Sequence, residues 1–490
     1  MNKYILNLSI PILFVGFVLY TIPIQQVFSF DPDEGLQLMK ALLYSQGFSL
    51  YTEIWSDQPP VFTILLSIWF SLFGRSVFAS RILVLFFSTV LVYCFYQLLR
   101  YFIGIFPAIA GTLLLVFSSN FIQLSVSVMV GIPCLSMSLL SIYTLLIYHK
   151  KQEKKFLIIS GILWALSLQI KLISVVLIPP IVVLISYLKL KNNPVKLSYN
   201  KLLFDVIFWL VTIGLSFLIS SILLNSLNYE QLWQAHNIGN TNSYSKDYNI
   251  NLVMNQVIGN RRVFSLLAFL GILAIFSQRR WEGIIPLAWL GSTLVFMLNH
   301  RPIWYHHYLL IFMPMAWLSA YTILVVVNLC QQKNGYFYLR LRQIKKLIIP
   351  SLTVILLIKF MANSTNELAN LKPVEKNLRV KAVELLIENK KSTQWVFTDS
   401  PIIAFYADLP VPPQVAVLSS KRFSSNHITL DDIQSVLQNY RPEQIVLARW
   451  KYKFTSHQGI KNYLDKNYRK IYPSKNTDKE VPFEQYVLNR

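Results

Sequence analysis

The sequence predicts a polytopic α-helical membrane protein that carries a small α/β domain at its C-terminal end. Composition gives the first two observations. Of the 490 residues, 54% are hydrophobic and only 14% are charged, whereas a soluble domain carries about 25% charged residues. A globule of this size with so few charges could not present a polar surface to water. The aromatic content of 14% also excludes a disordered chain.

The third observation is a series of apolar runs that continues to about residue 361. A helix that crosses a bilayer needs about 20 apolar residues. We predict about eleven spans, at 5–28, 82–100, 103–120, 128–148, 156–170, 172–188, 202–224, 260–277, 283–299, 308–330 and 346–361. The first run is too long for the apolar part of a signal peptide, so we expect it to be retained.

A shorter apolar run, Pro60–Gly74, follows Asp57 and precedes Arg75 and Arg81. We predict that it forms a juxtamembrane helix at the outer face of the membrane rather than a span.

The basic residues between the runs predict the orientation. With the N-terminus in the cytoplasm, the cytoplasmic segments hold about twice as many Lys and Arg residues as the opposite loops. The net charge of +22 is therefore a topology signal, and we predict no nucleic-acid partner. This orientation places the first outer loop, 29–81, and the segment 362–490 on the extracytoplasmic side of the plasma (inner) membrane.

Residues 1–361 thus form the predicted transmembrane domain, and residues 362–490 the predicted extracytoplasmic α/β domain. Strands and helices alternate in the second segment, which is typical of an α/β domain. The predicted helices are Lys372–Lys391, Leu430–Tyr440 and Ile460–Tyr468, with a short helix or turn at Ile402–Tyr406. The predicted strands are Gln394–Asp399, Gln444–Ala448 and Tyr486–Leu488.

The first outer loop holds three carboxylates within four residues, Asp31, Asp33 and Glu34. Like charges at this spacing raise each other's pKa unless a cation or metal shares the site. Such a cluster is suited to a general base or a metal site. The alternative is a solvated loop whose acidic residues cap the helix that follows. Further on, two prolines after Asp57 and Gln58 fix the backbone and hold Asp57 close to the membrane surface.

These features, in this order, resemble the membrane glycosyltransferases of the GT-C fold. The resemblance is to family 39, the group of protein mannosyltransferases and lipid A aminoarabinose transferases. Asp33-Glu34 matches the family's Asp-Glu in the first outer loop, and Asp57–Pro60 matches its acidic-Lys-Pro-Pro segment. Weaker matches are Ser80–Leu83, Gln169–Lys171, His306–Pro314 and Thr398–Pro401. The chain departs from the family at Gln58, where a lysine is common, and at His306, where an arginine is common.

The resemblance implies transfer of a sugar, a hexosyl or pentosyl group, from a polyprenyl-phosphate donor to an acceptor hydroxyl at the outer face. The acceptor is a lipid, a glycan or a protein. Asp33 would be the general base, with inversion at the anomeric carbon, and Glu34 would orient the acceptor or Asp33. Candidate ligands of the donor phosphate are Lys171, Arg301, His306, His307, Arg81 and Arg261. Asp31, Gln58 and Tyr308 are candidates for contacts with the acceptor or within the loop.

A divalent metal held by Asp57 and His236 is a further hypothesis, because Asp and His are suitable ligands. Lys171 has an equal alternative, since a lysine between two apolar runs can also extend its ammonium to the membrane surface. The expected partners are the polyprenyl-phosphate sugar donor, the acceptor and membrane lipids.

Three other functions fit a chain of this kind. The first is a transporter or flippase of a polyprenyl-linked glycan, which would use polar groups within the spans. Here the charges concentrate in outer loops, which favours chemistry at the surface. The second is a polysaccharide polymerase or ligase that uses the same kind of carrier. The third is a non-catalytic membrane assembly subunit, which is compatible with glutamine at position 58 in place of the family's lysine.

Overall fold

The computed structural model describes most of the chain, and helices dominate it. The described residues are 3–192, 199–227, 231–232, 234, 246–300, 302–331, 351–363, 376–473 and 483–489. The predicted sites Arg301 and His236 lie outside these residues, as does the predicted loop around His236.

The described membrane part consists mainly of helices. They are α1 (Lys3–Thr21), α2 (Pro32–Ser45), α3 (Val61–Phe73), α4 (Val77–Ile103), α5 (Ile105–Val116), α6 (Ser119–Leu124), α7 (Gly131–Lys151), α8 (Lys154–Ile170), α9 (Ile178–Asn192), α10 (Tyr199–Leu223), α11 (Lys246–Met254), α12 (Arg262–Ser277), α13 (Ile284–Asn299), α14 (Leu309–Gln331) and α15 (Ser351–Asn363).

Every predicted span overlaps a helix of the described part, but not every helix is long enough to cross a bilayer. In the described part, six helices have the length and apolar composition of a span: Val77–Ile103, Gly131–Lys151, Leu172–Lys191, Leu202–Leu223, Trp281–Asn299 and Tyr305–Cys330. A seventh arises if the pair Ile250–Val257 and Arg262–Ser277, bent by 85°, counts as one span. α5 shows why others fall short: its 12 residues extend about 18 Å, against a hydrocarbon core of about 30 Å.

Apolar surface on the outside of the bundle identifies the protein as an integral membrane protein. α10 is the clearest case, since large apolar side chains are exposed along its length, among them Leu203, Phe204, Ile207, Val211 and Leu218. Exposed apolar surface of this extent is an aggregation liability in water but matches a lipid environment.

Small residues bring the inner helices close together. A Cβ atom on Gly271 of α12 would lie 1.8 Å from the Leu318 carbonyl oxygen of α14. A Cβ atom on Gly161 of α8 would lie 2.7 Å from the Thr212 methyl group of α10. Such close approach is how membrane helices pack without a hydrophobic driving force between them.

The C-terminal part is an α/β unit, as predicted. Its helices are α16 (Lys376–Glu388), α17 (Pro401–Tyr406), α18 (Ser420–Ser424), α19 (Leu430–Tyr440), α20 (Lys451–Thr455) and α21 (Gln458–Asn467). Its strands are β1 (Val396–Thr398), β2 (Gln444–Leu447), β3 (Tyr468–Tyr472) and β4 (Glu484–Leu488). The strands form one sheet in the order β1-β2-β4-β3. β1 and β2 are parallel, and β4 is antiparallel to both of its neighbours.

Local sequence signals explain most of these elements. Thr429 caps α19 as expected, accepting a hydrogen bond from the Asp432 backbone N–H at 3.1 Å. β3 was not predicted, because Tyr468 was assigned to the preceding helix. That helix ends one residue earlier, and Tyr468 adopts an extended backbone.

The C-terminal unit packs directly on the first outer loop. A Cβ atom on Gly35 of α2 would lie 2.6 Å from the Ile402 backbone nitrogen of α17, so the two helices touch at their backbones. The Tyr406 hydroxyl donates a hydrogen bond to the Phe28 carbonyl oxygen at 3.0 Å. The rings of Phe70 and Phe405 lie 5.6 Å apart. This contact brings residues of the C-terminal unit over the acidic loop.

Candidate functional site

A cavity of about 340 Å³ lies where the first outer loop, the helix bundle and the C-terminal unit meet. Seven of the residues singled out from the sequence line it: Asp31, Asp33, Asp57, Gln58, Lys171, His306 and His307. These residues come from four separate segments of the sequence, so only the fold brings them into one cavity.

The start of α2 positions the two aspartates. Asp31 is the N-cap, and its Oδ1 accepts a hydrogen bond from the Asp33 backbone N–H at 2.7 Å. Pro32 occupies the first turn, where its missing N–H costs nothing. Asp33, Gln37 and Lys40 then share one helix face by their spacing, and all three line the cavity.

The cavity changes the proton affinity of both aspartates. Burial, followed by the charge of Asp33, raises the pKa of Asp31 to about 7. Burial and the charge of Asp57 raise the pKa of Asp33, while Arg449, Lys171 and Lys40 oppose that rise. Asp33 is thus a carboxylate withdrawn from water and balanced by three surrounding cations.

Lysines supply the opposing charge from the membrane side. Lys171 follows α8 in an extended backbone conformation, and burial lowers its pKa against the effect of Asp57 and Asp33. Lys40 is 1% exposed, and its Nζ donates to the Ser56 hydroxyl at 3.4 Å. Burial also lowers the pKa of Lys40, which Asp57 and Asp33 counteract.

Three histidines form one wall of the cavity. The ring centroids of His306 and His307 lie 4.4 Å apart, and those of His300 and His307 lie 5.4 Å apart. His307 Nδ1 accepts a hydrogen bond from the Trp304 backbone N–H at 3.3 Å. His300 was not singled out from the sequence, although it also lines the cavity.

The C-terminal unit contributes two cations that sequence reasoning missed, Lys421 and Arg449. Burial lowers the pKa of Lys421, against the effect of Asp57. No local pattern marks these two residues, since both follow from the packing of the C-terminal unit on α2. The nearest signal was the segment Thr398–Pro401, because Asp399 holds the loop that carries Arg449.

Buried polar groups fix the segments that carry these cations. The Asp399 carboxylate accepts hydrogen bonds from the backbone N–H groups of Ala448 at 2.7 Å and Trp450 at 2.6 Å. Arg422 donates to the carbonyl oxygens of Gln414 at 2.6 Å and Val417 at 3.1 Å. Its guanidinium also lies 4.9 Å from the ring centre of Trp55 in the first outer loop.

Glu34 and Arg81 do not line the cavity, although both were predicted site residues. They form a fully buried ion pair, with Arg81 Nη2 2.8 Å and Nε 3.1 Å from the two carboxylate oxygens. Arg81 also donates to the carbonyl oxygens of Ile24, Val27 and Phe28. Adjacent helical residues project about 100° apart, so Glu34 points into the protein while Asp33 faces the cavity.

Two further predicted residues also lie outside the cavity. Arg261 donates to the Ser119 hydroxyl at 2.7 Å and lies 5.8 Å from the ring centre of Phe312. Tyr308 is 4% exposed and belongs to the core of the bundle. Both side chains are therefore engaged in helix packing.

The described residues contain no group of three or more His, Cys, Asp or Glu side chains placed to hold a metal ion. Of the proposed metal ligands, only Asp57 lies in the described part, and it lines the cavity.

Comparison with known proteins supports a membrane glycosyltransferase fold. Residues 57–220 match the family model described as dolichyl-phosphate-mannose-protein mannosyltransferase. No curated protein sequence matches the chain. The structure is similar to that of ArnT from Cupriavidus metallidurans bound to undecaprenyl phosphate, with a TM-score of 0.63 and 12% sequence identity over 97% of both chains.

A second similarity is to the oligosaccharyltransferase of Archaeoglobus fulgidus. Its apo form gives a TM-score of 0.53 at 12% identity, over 91% of this chain and 70% of that one. Its form tethered to an acceptor peptide gives 0.51 at 11% identity, over 100% and 74%. The fold of this chain is therefore that of the GT-C membrane glycosyltransferases, which its motifs predicted.

Proposed function

We propose that the protein transfers a glycosyl group from a polyprenyl-phosphate donor to an acceptor hydroxyl. One observation carries this proposal: a single cavity brings the Asp33 carboxylate together with Lys171 and the His306–His307 pair. The family match over 57–220 and the fold shared with a protein solved with undecaprenyl phosphate support it.

The donor phosphate binds beside Lys171, His306 and His307 in this proposal. Apolar residues also line the cavity, including Ile173, Val175, Phe296 and Leu309, and in this proposal they contact the polyprenyl chain. As the bond between sugar and phosphate breaks, negative charge accumulates on the phosphate. A cation held in place beforehand stabilises that charge without having to reorganise.

Asp33 is the proposed general base. It takes the proton of the acceptor hydroxyl while that oxygen attacks the anomeric carbon and the polyprenyl phosphate leaves. A single displacement by the acceptor inverts the configuration at that carbon, because no carboxylate intervenes as a nucleophile. Proton transfer to a positioned base contributes roughly 10²–10⁴-fold.

The acceptor approaches from the side of the C-terminal unit, where Lys421 and Arg449 meet the cavity. A lipid, a glycan and a protein hydroxyl are the acceptor classes to test.

Glu34 acts on Asp33 through the backbone: by holding Arg81, it fixes the loop from which α2 starts. We place the reaction at the extracytoplasmic face.

A divalent metal remains part of the proposal through Asp57 and His236. Elemental analysis of active protein, combined with chelation by EDTA, tests it. Activity that persists in protein free of divalent ions would remove both residues as ligands.

The central experiment supplies purified full-length protein with polyprenyl-phosphate sugars and a panel of lipid, glycan and peptide acceptors. We expect a glycosylated product from wild type and at least 100-fold slower formation from Asp33→Asn, in line with the general-base contribution. Asp408→Asn is the matched control, because Asp408 is an exposed carboxylate outside the cavity. Equal rates for wild type and Asp33→Asn would refute the base assignment. Movement of the donor across the bilayer without any covalent product would instead indicate a flippase.

A further inference from the structure

A second cavity, of about 430 Å³, lies between the C-terminal halves of α4 and α7. The residues that line it recur at intervals of three and four, so they form one face of each helix. α4 contributes Gln97, Arg100 and Tyr101, and α7 contributes Tyr143, Leu146, Ile147 and Lys150.

This cavity and the catalytic one lie at opposite ends of α7. Gly131 and Ile132 at the start of α7 line the catalytic cavity, and Lys150 near its end lines the second one. The helix rise puts Ile132 and Lys150 about 27 Å apart, close to the hydrocarbon thickness of about 30 Å. The second cavity therefore lies at the other membrane surface, which the distribution of basic residues predicts to be cytoplasmic.

The second cavity concentrates positive charge. The ammonium groups of Lys150 and Lys191 lie 5.1 Å and 5.6 Å from the ring centre of Tyr101, and Arg100 stands beside them in the lining. Among the described residues, none that lines this cavity carries a carboxylate. Two ammonium groups at one phenol ring, with a guanidinium in the same lining, create a positive potential that attracts an anion.

Two carboxylates at the same end of the bundle, Asp205 and Glu153, form ion pairs with lysines. Asp205 is 2.5 Å from the Lys189 ammonium and accepts a hydrogen bond from the Tyr148 hydroxyl at 2.9 Å. Glu153 is 2.5 Å from the Lys155 ammonium. Neither pair includes a residue that lines the second cavity.

We infer that this second cavity binds the phosphate headgroup of an anionic phospholipid. Arg100 and Lys150 supply positive charge, and a guanidinium can bind a phosphate through two parallel hydrogen bonds. Gln97 and the tyrosine hydroxyls can bond the polar part of the headgroup, while Leu146 and Ile147 add an apolar wall. Anionic lipids concentrate in the cytoplasmic leaflet, and basic pockets between membrane helices on that side bind such headgroups.

This inference does not depend on the proposed enzymatic function, so its test measures binding alone. Full-length protein in a neutral detergent is titrated with dihexanoyl phosphatidylglycerol, dihexanoyl phosphatidylcholine or inorganic phosphate, and bound adducts are counted by native mass spectrometry. We expect phosphatidylglycerol to bind wild type at least tenfold more tightly than phosphatidylcholine. Equal affinity for the two lipids would overturn the inference without any variant.

Two double variants place the binding. Arg100→Gln with Lys150→Gln should weaken phosphatidylglycerol binding at least tenfold. Lys154→Gln with Lys155→Gln removes the same charge from exposed positions at the same end of the bundle, outside the cavity. This control pair should change the affinity for phosphatidylglycerol less than twofold. Equal losses from both pairs would indicate a diffuse surface effect and refute the site. Binding of inorganic phosphate without binding of the lipid would also refute it, because the ligand would then be a free anion.

Discussion

Asp33 and Glu34 are neighbours of the same chemical type, and the structure gives them opposite environments. Asp33 faces a cavity with Lys171, Lys40 and Arg449 around it. Glu34 is buried against Arg81, and its carboxylate also accepts hydrogen bonds from the backbone N–H groups of Phe30 at 2.8 Å and Val128 at 3.0 Å. One residue is therefore available for chemistry, and the other holds the loop in place.

Neutralising Arg449 should shift the pH dependence of the reaction. Arg449 lowers the pKa of Asp33, and a base works only when it is deprotonated. Removing that positive charge raises the pKa of Asp33, so the acid limb of the kcat/KM profile of Arg449→Gln should move to higher pH. The control is Lys461→Gln, an exposed charge on α21 of the same unit. An acid limb that stays in place or moves to lower pH would contradict the assignment of Asp33.

Breaking the buried ion pair should destabilise the protein far more than breaking an exposed one. Glu34→Gln leaves the Arg81 guanidinium buried without its counter-charge, which costs about 3–5 kcal/mol. Asp408→Asn disrupts exposed pairs with Arg75 and Lys390, worth about 0–1 kcal/mol each. Thermal unfolding in one detergent should show a large drop in Tm for the first variant and a small one for the second. Equal drops would mean that the buried pair does not anchor the loop.

The cavity that holds Asp33 depends on the contact between helices α2 and α17. The two helices touch through Gly35, and that contact sets where Lys421 and Arg449 lie relative to Asp33. Asp399 and Arg422 then hold the loops that carry these cations. We therefore expect a small change in the packing of these two helices to shift Lys421 and Arg449 relative to Asp33.

Adding one methyl group at this contact should loosen the C-terminal unit. In Gly35→Ala the new Cβ atom would lie 2.6 Å from the Ile402 backbone nitrogen, and overpacking of this kind costs about 1–3 kcal/mol. Gly214→Ala in α10 is the control, because a Cβ atom there meets nothing within 4 Å. Limited proteolysis should cut Gly35→Ala faster than wild type between the membrane part and the C-terminal unit, and leave Gly214→Ala unchanged. Identical proteolysis of all three would show that this contact does not secure the docking.

The cavity that holds Asp33 and the second cavity lie at the two ends of the bundle. Acidic and basic side chains meet at the first end, and basic side chains predominate at the second. The bundle between them exposes apolar side chains, as α10 shows. From the distribution of basic residues we predict that the second end is cytoplasmic.

A fusion experiment tests that orientation. Alkaline phosphatase is active only outside the cytoplasm, so a fusion to Arg490 should be active, since the C-terminal unit is predicted to be extracytoplasmic. A fusion to the N-terminus, on the predicted cytoplasmic side, is the inactive control. An active N-terminal fusion combined with an inactive C-terminal one would invert the predicted topology.

The sequence predicted the helical class, the C-terminal unit and the residues whose signals are local. Asp33 was singled out by the carboxylate cluster after the first apolar run, Lys171 by its place between two runs, and the His306–His307 pair by the family resemblance. Composition and spacing could not predict which of Asp33 and Glu34 faces the cavity, because this depends on how α2 is rotated against its neighbours. Lys421 and Arg449 were missed because their role comes from contacts across several hundred residues of sequence.

Lys421 and Arg449 follow Asp33 and the described membrane helices in the sequence, and this order matters for biosynthesis. A fragment released from the ribosome before Lys421 is made would carry Asp33, Lys171 and the His306–His307 pair but neither of these two cations. We therefore expect such a fragment to embed in the bilayer without a complete cavity.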